Sequence, residues 1–234
     1  MKIPGILDDK LSEDIGIHIG DGCITRNNTG YEITYSMNAV EDLEYSKFVL
    51  NLKKILFNID FKTRIIKENE IRFNTYSKTL ARFYNEIFNI PLGPKTNIKI
   101  PEIIENTPVL LKSCLRGIID TDFSLAFKNR GKRKNFYPVL MASFGNKIIM
   151  ESVKRAFDSL GFKTSSFVAK KYDKRYNKSS FGYQITLNGK DNIELWWKLI
   201  GSHNPRLMTR YSTWKKFGHV SPHLSIKERI EMLK

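Results

Sequence analysis

The sequence has no apolar run approaching the roughly 20 residues that a bilayer-spanning helix needs. Its first residues, Met1-Lys2-Ile3-Pro4-Gly5, lack the apolar core of a secretion signal. The chain is therefore expected to be soluble, intracellular and cytoplasmic. Only two cysteines, Cys23 and Cys114, occur in 234 residues. Two thiols make neither a disulfide framework nor a four-ligand zinc site, and both are expected to be buried structural thiols. No glycine-rich phosphate loop and no Ser/His/Asp arrangement is recognisable. His219 and His223 are four apart, but Pro222 denies them a shared helix on which to hold a metal. His18, Trp196, Trp197 and Trp214 read as packing side chains.

Acidic residues are also scarce, but only in one half. Residues 106–234 hold 25 Lys+Arg against 9 Asp+Glu, whereas residues 1–105 hold 14 against 15. The formal net charge of +15 therefore belongs wholly to the second half. Such an excess points to a polyanion, most simply nucleic acid. Hydrophobic residues make up 41%, enough for a core, and the length fits one large domain or two small ones.

An internal repeat appears at an offset of 101 residues. Gly16-Ile17 matches Gly117-Ile118, Asp21 matches Asp122, and Phe61-Lys62-Thr63 matches Phe162-Lys163-Thr164; between them Leu52-Lys53-Lys54 faces Val153-Lys154-Arg155. Shared spacing across separate anchors indicates duplication. Each copy reads in one order. The first helix is expected over about 12–20 and 108–121. A hairpin follows, broken at Asn27-Asn28-Thr29-Gly30 and Asn129-Arg130-Gly131-Lys132. An amphipathic helix then covers about 40–57 and 147–160, with Phe48, Leu52, Ile55 and Leu56 at helical spacing. A second hairpin leads to a third helix over about 78–88 and 191–200. Pro91, Pro94, Pro101 and Pro108 mark a linker between the copies. In 31–38, Ile33, Tyr35 and Met37 share one strand face; in 183–188, Tyr183, Ile185 and Leu187 do the same. The opposite faces carry side-chain types that read base edges, and a two-stranded ribbon fits the major groove.

The most specific feature is the end of the first helix in each copy. Gly16 and Gly20, like Gly117 and Thr121, are four apart and share a helix face. Small residues on one face let two backbones approach closely, so the two helices are expected to pack about a pseudo-twofold axis. Asp21 and Asp122 would then end adjacent helices, where the helix dipole is negative and two carboxylates repel. A divalent cation such as magnesium, bound through one or two carboxylates plus phosphate oxygens and water, relieves both penalties.

At these residues the chain resembles the LAGLIDADG homing endonucleases in their monomeric, two-motif form. Leu115-Arg116-Gly117-Ile118-Ile119-Asp120-Thr121-Asp122 matches eight motif positions. Asp14 through Gly22 matches all nine more loosely, with Asp14 at the leucine and Ile19 at the first acid. The resemblance covers nearly the whole chain. It implies an α+β fold of two pseudo-symmetric αββαββα repeats, 1–100 and 101–234, each with a four-stranded antiparallel sheet, that together form a saddle on DNA. It further implies magnesium-dependent cleavage of both strands of a long double-stranded target by a monomer. The catalytic acids would be Asp21 and Asp122, the metal set Asp21, Asp122, Gly20 and Thr121, and the motif glycines Gly16, Gly22 and Gly117. The basic residues near the metals would be Lys95, in Gly93-Pro94-Lys95-Thr96, and Arg206, in Asn204-Pro205-Arg206-Leu207. The ninth motif position is Gly22 in one copy but Phe123 in the other; the bulky residue is expected to disturb the presentation of Asp122. A non-catalytic DNA-binding regulator of the same fold and an intron RNA maturase therefore stand as alternatives.

Candidate DNA contacts follow from the strands and the charge clusters. In the first copy they are Arg26, Thr34, Ser36, Asn38, Arg64, Arg72 and Asn74. In the second they are Gln184, Thr186 and Asn188, with two basic hairpins suited to phosphates. One hairpin carries Lys128, Arg130, Lys132, Arg133 and Lys134, the other Lys170, Lys171, Lys174 and Arg175. The chain begins and ends at the repeats, so a free-standing protein is expected.

Overall fold

A computed structural model describes residues 1–28, 30–173 and 177–234. The first half runs α1 (Asp9–Asp21), β1 (Gly22–Asn27), β2 (Gly30–Asn38), α2 (Leu43–Phe57), β3 (Lys62–Lys67), β4 (Glu70–Tyr76) and α3 (Lys78–Phe88). A short helix, α4 (Glu102–Glu105), interrupts the proline-marked connection. The second half repeats the order as α5 (Pro108–Asp122), β5 (Ser124–Arg130), β6 (Arg133–Phe144), α6 (Lys147–Ser159), β7 (Thr164–Asp173), β8 (Lys178–Asn188) and α7 (Lys190–Leu199). Two further helices follow, α8 (Pro205–Phe217) and α9 (Ile226–Leu233). Strand order is β1-β2-β4-β3 in one sheet and β5-β6-β8-β7 in the other, all pairs antiparallel.

Local sequence accounts for most boundaries. Asp8 caps α1 by accepting from Leu11 N–H at 2.8 Å, Ser77 caps α3, and Pro108 opens α5 where a missing N–H costs nothing. Helix α2 starts at Leu43 rather than near Val40, because Asn38 Oδ1 accepts from the amides of Val40 and Glu41 and holds a turn there. Helices α8 and α9 lie beyond the repeated order. Their signals are nonetheless in the sequence: Asn204 caps α8 with Pro205 at its first position, and Ser225 with Glu228 forms a capping box on α9.

Strand alternation places one face of each sheet against helices. Ile33, Tyr35 and Met37 of β2 are buried, as are Ile71 and Phe73 of β4, and Leu140, Ile185 and Leu187 in the second sheet. Helix α2 turns Leu52 and Leu56 inward, but Ile55 is 46% exposed and Lys53 is fully buried in its stead. The reason lies on α1: Asp14 meets Lys53 Nζ at 2.5 Å, with Tyr84 and Tyr35 hydroxyls closing the cluster. Asp14 stands at the motif's leucine position, so this sheet–helix core is joined by an ion pair. Trp196 is buried, Trp214 nearly so, and Trp197 stacks on Tyr211 with centroids 4.1 Å apart. Cys114 is buried, whereas Cys23 is exposed at the start of β1, on the face away from the helices; its expected burial is corrected.

Candidate active site at the paired helix ends

Helices α1 and α5 lie in backbone contact, and glycine makes the approach feasible. A Cβ on Gly16 would stand 2.0 Å from the carbonyl oxygen of Cys114, and one on Gly117 would stand 2.3 Å from that of Glu13. One turn later, a Cβ on Gly20 would meet Thr121 Oγ1 at 2.0 Å and Asp122 Oδ2 at 3.2 Å. The sequence's small-residue face is thus the seam between the repeats, and Asp21 and Asp122 end the two helices beside it.

Both helices run straight into a strand. The residues after the acids are extended in both copies: Gly22 at φ −76°, ψ 150° and Phe123 at φ −93°, ψ 152°. No glycine-only conformation is required, so the expected disturbance at Phe123 does not arise. Its ring is buried against Phe144 and Phe157. Gly22 has a different reason for lacking a side chain: a Cβ there would fall 2.5 Å from His18 Nδ1. His18 is fully buried, bonded to the Tyr35 hydroxyl at 2.6 Å and stacked on Tyr84. At the matching place the second copy has Ile119.

The electrostatics are those of anions in an adverse position. Withdrawal from water, and then the nearby charges of Asp122 and Asp42, push Asp21 up to about 7, against the pull of Lys95 and Arg206. Asp122 has an open edge, yet withdrawal from water still raises it to about 6 against the same two cations. Lys95 donates to the carbonyls of Ile19 and Gly20 at 2.8 and 2.5 Å, and burial lowers its pKa against the attraction of Asp122 and Asp21. Arg206 donates to the carbonyls of Phe123 and Asp120 and pairs with Asp42 at 3.0 Å. The acid pair is thus flanked by one cation from the segment after each copy's third helix. A cavity of about 360 Å³ opens beside them, lined in part by Gly20, Lys95, Asp122, Ser143 and Asn146.

The other two expected metal ligands, Gly20 and Thr121, stand at the same helix ends. The Gly20 carbonyl accepts from Lys95, and the Thr121 hydroxyl donates back into its own helix, near Gly117 and Ile118 carbonyls at 2.9 and 3.0 Å. Among the described residues, one group of three metal-capable side chains occurs elsewhere: Glu13, Asp120 and His203, with ligand atoms within 4.8 Å of one another. Its carboxylates are already satisfied. Glu13 takes Arg116 and His203, and Asp120 takes the Ser202 hydroxyl and the His203 amide. Asp120, though an acid of the motif, is thereby a buried anchor for the segment that carries Arg206.

No family model and no curated protein matches the sequence. Solved structures do match in shape. A variant of I-DmoI in complex with its target DNA nicked in the coding strand, in the presence of manganese, superimposes with TM-score 0.52 at 18% identity, covering 84% of this chain and 98% of that one. The I-SmaMI LAGLIDADG homing endonuclease bound to cleaved DNA gives TM-score 0.56 at 13% identity, covering 93% and 90%. The N-terminal LAGLIDADG domain of DUF199/WhiA gives 0.52 at 15%, covering 86% and 87%. The chain has the LAGLIDADG fold.

In this fold the faces turned away from the helices collect part of the expected DNA-contact set. Thr34, Ser36, Asn38, Arg64, Arg72 and Asn74 share the open face of the first sheet by register. Several are already paired there: Arg72 with Ser36 and Glu70, Asn74 with Glu32 at 2.6 Å, and Asn38 with the turn before α2. Arg26 does not join them. It pairs with Tyr31 in register, on the face that carries Ile24, because alternation from Ile24 returns to the helix side two residues on. Gln184, Thr186 and Asn188 share the open face of the second sheet, but Thr186 is only 4% exposed and its hydroxyl accepts from Asn188 Nδ2 at 2.8 Å. Lys128, Arg130, Lys132, Arg133 and Lys134 are exposed along one hairpin, with the guanidinium of Arg130 over the Tyr137 ring at 4.7 Å. Lys170 is exposed but pairs in register with Phe181, on the face opposite Gln184. Lys174 and Arg175, and the side chain of Lys171, lie outside the described residues.

Proposed function

We propose that the chain is a site-specific, divalent-metal-dependent endonuclease that cuts both strands of a long double-stranded DNA target, with Asp21 and Asp122 as its catalytic acids. The observation that carries this reading is the pair of carboxylates at abutting helix ends, each raised in pKa and flanked by Lys95 and Arg206. Two carboxylates that belong to no group of three metal-capable side chains among the described residues suit magnesium, which keeps waters and takes phosphate oxygens. A bound magnesium would activate water and stabilise the leaving oxygen. The protein's own part is to hold the acids together through the glycine seam, to hold Lys95 and Arg206 beside them, and to lay the open sheet faces against the duplex. The solved structures of similar shape with target or cleaved DNA support the same reading. Both halves of the site lie in one chain, so it acts as a monomer, inside the cell, with intron homing as its genetic context.

The test starts from a duplex selected from a random double-stranded library, or from the joined flanks of a gene that the coding sequence interrupts. The wild-type chain should cut both strands of it with magnesium or manganese, and Asp21→Asn or Asp122→Asn should bind it without double-strand cleavage. Full cleavage by either variant would remove that acid from the role. Binding with no cleavage by the wild type would favour a regulator, and tighter binding of a structured intron RNA than of any duplex would favour a maturase.

A further inference from the structure

The two open sheet faces differ in chemistry, although register makes their rows equivalent. On the first sheet the rows run Lys62–Asn74–Thr34–Cys23, Arg64–Arg72–Ser36 and Tyr76–Glu32–Thr25. Nearly every position offers a hydrogen-bonding group, and an aliphatic side chain, Ile66, enters only at the bulge near the end of β3. On the second sheet the same rows run Ser165–Thr186–Met141–Ser124, Phe167–Gln184–Ser143 and Asn188–Val139–Ala126. Met141 stands where the first sheet has Thr34, Phe167 where it has Arg64, Val139 where it has Glu32, and Ala126 where it has Thr25.

Phe167 is 50% exposed on the β7 edge of this face; Met141 on β6 and Ala126 on β5 are partly exposed across β8 from it, and Val139 is buried beside Ala126. Ser124, two residues after Asp122, pairs with Met141, and the exposed cations of the 128–134 hairpin continue the two strands that carry Ala126 and Val139. Apolar side chains set among hydrogen-bonding ones over this face, in the half that carries the whole positive excess, match a polyanion that also offers apolar groups. In the major groove the apolar group on offer is the C5-methyl of thymine, met by Ala, Phe and the methyl of Thr; of these the first sheet's rows hold only Thr34 and Thr25, each with a hydroxyl beside its methyl.

We infer that the second repeat selects its half of the target through thymine methyl groups, whereas the first repeat reads hydrogen-bonding base edges. This rests on the DNA-binding reading above. Thymine should therefore be enriched in the half-site under the second sheet, with no comparable demand for it in the other half.

The probe is a duplex selected by the full chain from a random library, in which deoxyuridine replaces thymidine in one half at a time, so that the methyl alone is removed. A cleaving reagent tethered to a Lys132→Cys variant, in a Cys23→Ser background because Cys23 is itself an exposed thiol, assigns the half under the second sheet. Each methyl that meets the sheet should be worth roughly fourfold in affinity in that half, with little change in the other. Phe167→Ser, at an exposed position, should shrink the deoxyuridine penalty while leaving the salt dependence of binding intact. A duplex bound equally well with and without methyls in the second half, or one equally sensitive in both halves, overturns the inference and leaves DNA binding standing. Failure to retain any duplex overturns the DNA-binding reading and the inference with it.

Discussion

The seam between α1 and α5 makes a graded prediction. In Gly16→Ala, the new Cβ would lie 2.0 Å from the Cys114 carbonyl oxygen, and ordinary contact begins near 3.4 Å. The obstacle is backbone, so the helices must part by more than an ångström or tilt. Gly117→Ala meets backbone from the other side, at 2.3 Å from the Glu13 carbonyl and 2.6 Å from Ile17 N. Overpacking of this kind costs roughly 1–3 kcal/mol, partly offset because alanine is the better helix former by about 0.8–1 kcal/mol. Gly20→Ala should cost less, because the Thr121 hydroxyl that it meets at 2.0 Å can turn away and only the Thr121 Cβ at 2.8 Å must give by a few tenths of an ångström, with no backbone atom in the way. Gly145→Ala, with nothing within 4 Å, should stay within about 0.5 kcal/mol of wild type. For a chain of this size each kcal/mol shifts Tm by roughly 2–4 °C. Urea or thermal denaturation should therefore rank Gly16 and Gly117 well below Gly20, and Gly20 below Gly145. If Gly16→Ala and Gly117→Ala melt with the wild type, the helices do not touch through their backbones, and the shared position of the two acids falls with that seam.

Three other perturbations have definite signs. The folded pKa values of Asp21 and Asp122, about 7 and about 6, lie above the ordinary carboxylate value near 4; without metal the folded state therefore binds protons more tightly, and stability rises as pH falls from above 7 towards 4. Asp21→Asn should accordingly raise Tm in metal-free buffer at pH 8, an advantage that fades as pH falls below the folded pKa; a variant less stable than wild type at pH 8 would refute the unfavourable placement. Lys53→Met leaves Asp14 buried and unpaired and should cost roughly 3–5 kcal/mol, much of it recovered in Asp14→Leu with Lys53→Met; equal denaturation midpoints for single and double variants would deny the coupling. Removing charge at Lys132, Arg133 and Lys134 together should flatten the salt dependence of duplex binding by about 0.9 for each phosphate the hairpin no longer neutralises, and an unchanged slope in a salt titration would place that hairpin off the backbone.

Periodicity, turn residues and the repeat at an offset of 101 suffice for two copies of a helix–hairpin–helix–hairpin–helix order, and for Gly16, Gly20, Gly117 and Thr121 as one seam. These are local signals, because helical spacing and strand alternation are properties of the chain itself. The same local signals exist for α8 and α9, in Asn204-Pro205 and in Ser225 with Glu228, but these helices have no counterpart in the first copy, so the repeat does not point to them. What no local pattern contains is which distant groups meet. Lys53 looks like a surface residue until Asp14, 39 positions earlier in the chain, is found against it. Gly22 looks like a backbone requirement, yet the His18 ring beneath it is the cause, and Phe123 fits the equivalent place because the second core has room for its ring. Alternation tells the two faces of each strand apart, but only the register between strands shows that Arg26 and Lys170 leave the open face and that Met141 and Phe167 occupy it. The sequence by itself determined the elements and the paired acids; tertiary structure decided their company, since burial, pKa and the chemistry of a sheet face are set by neighbours that are remote along the chain.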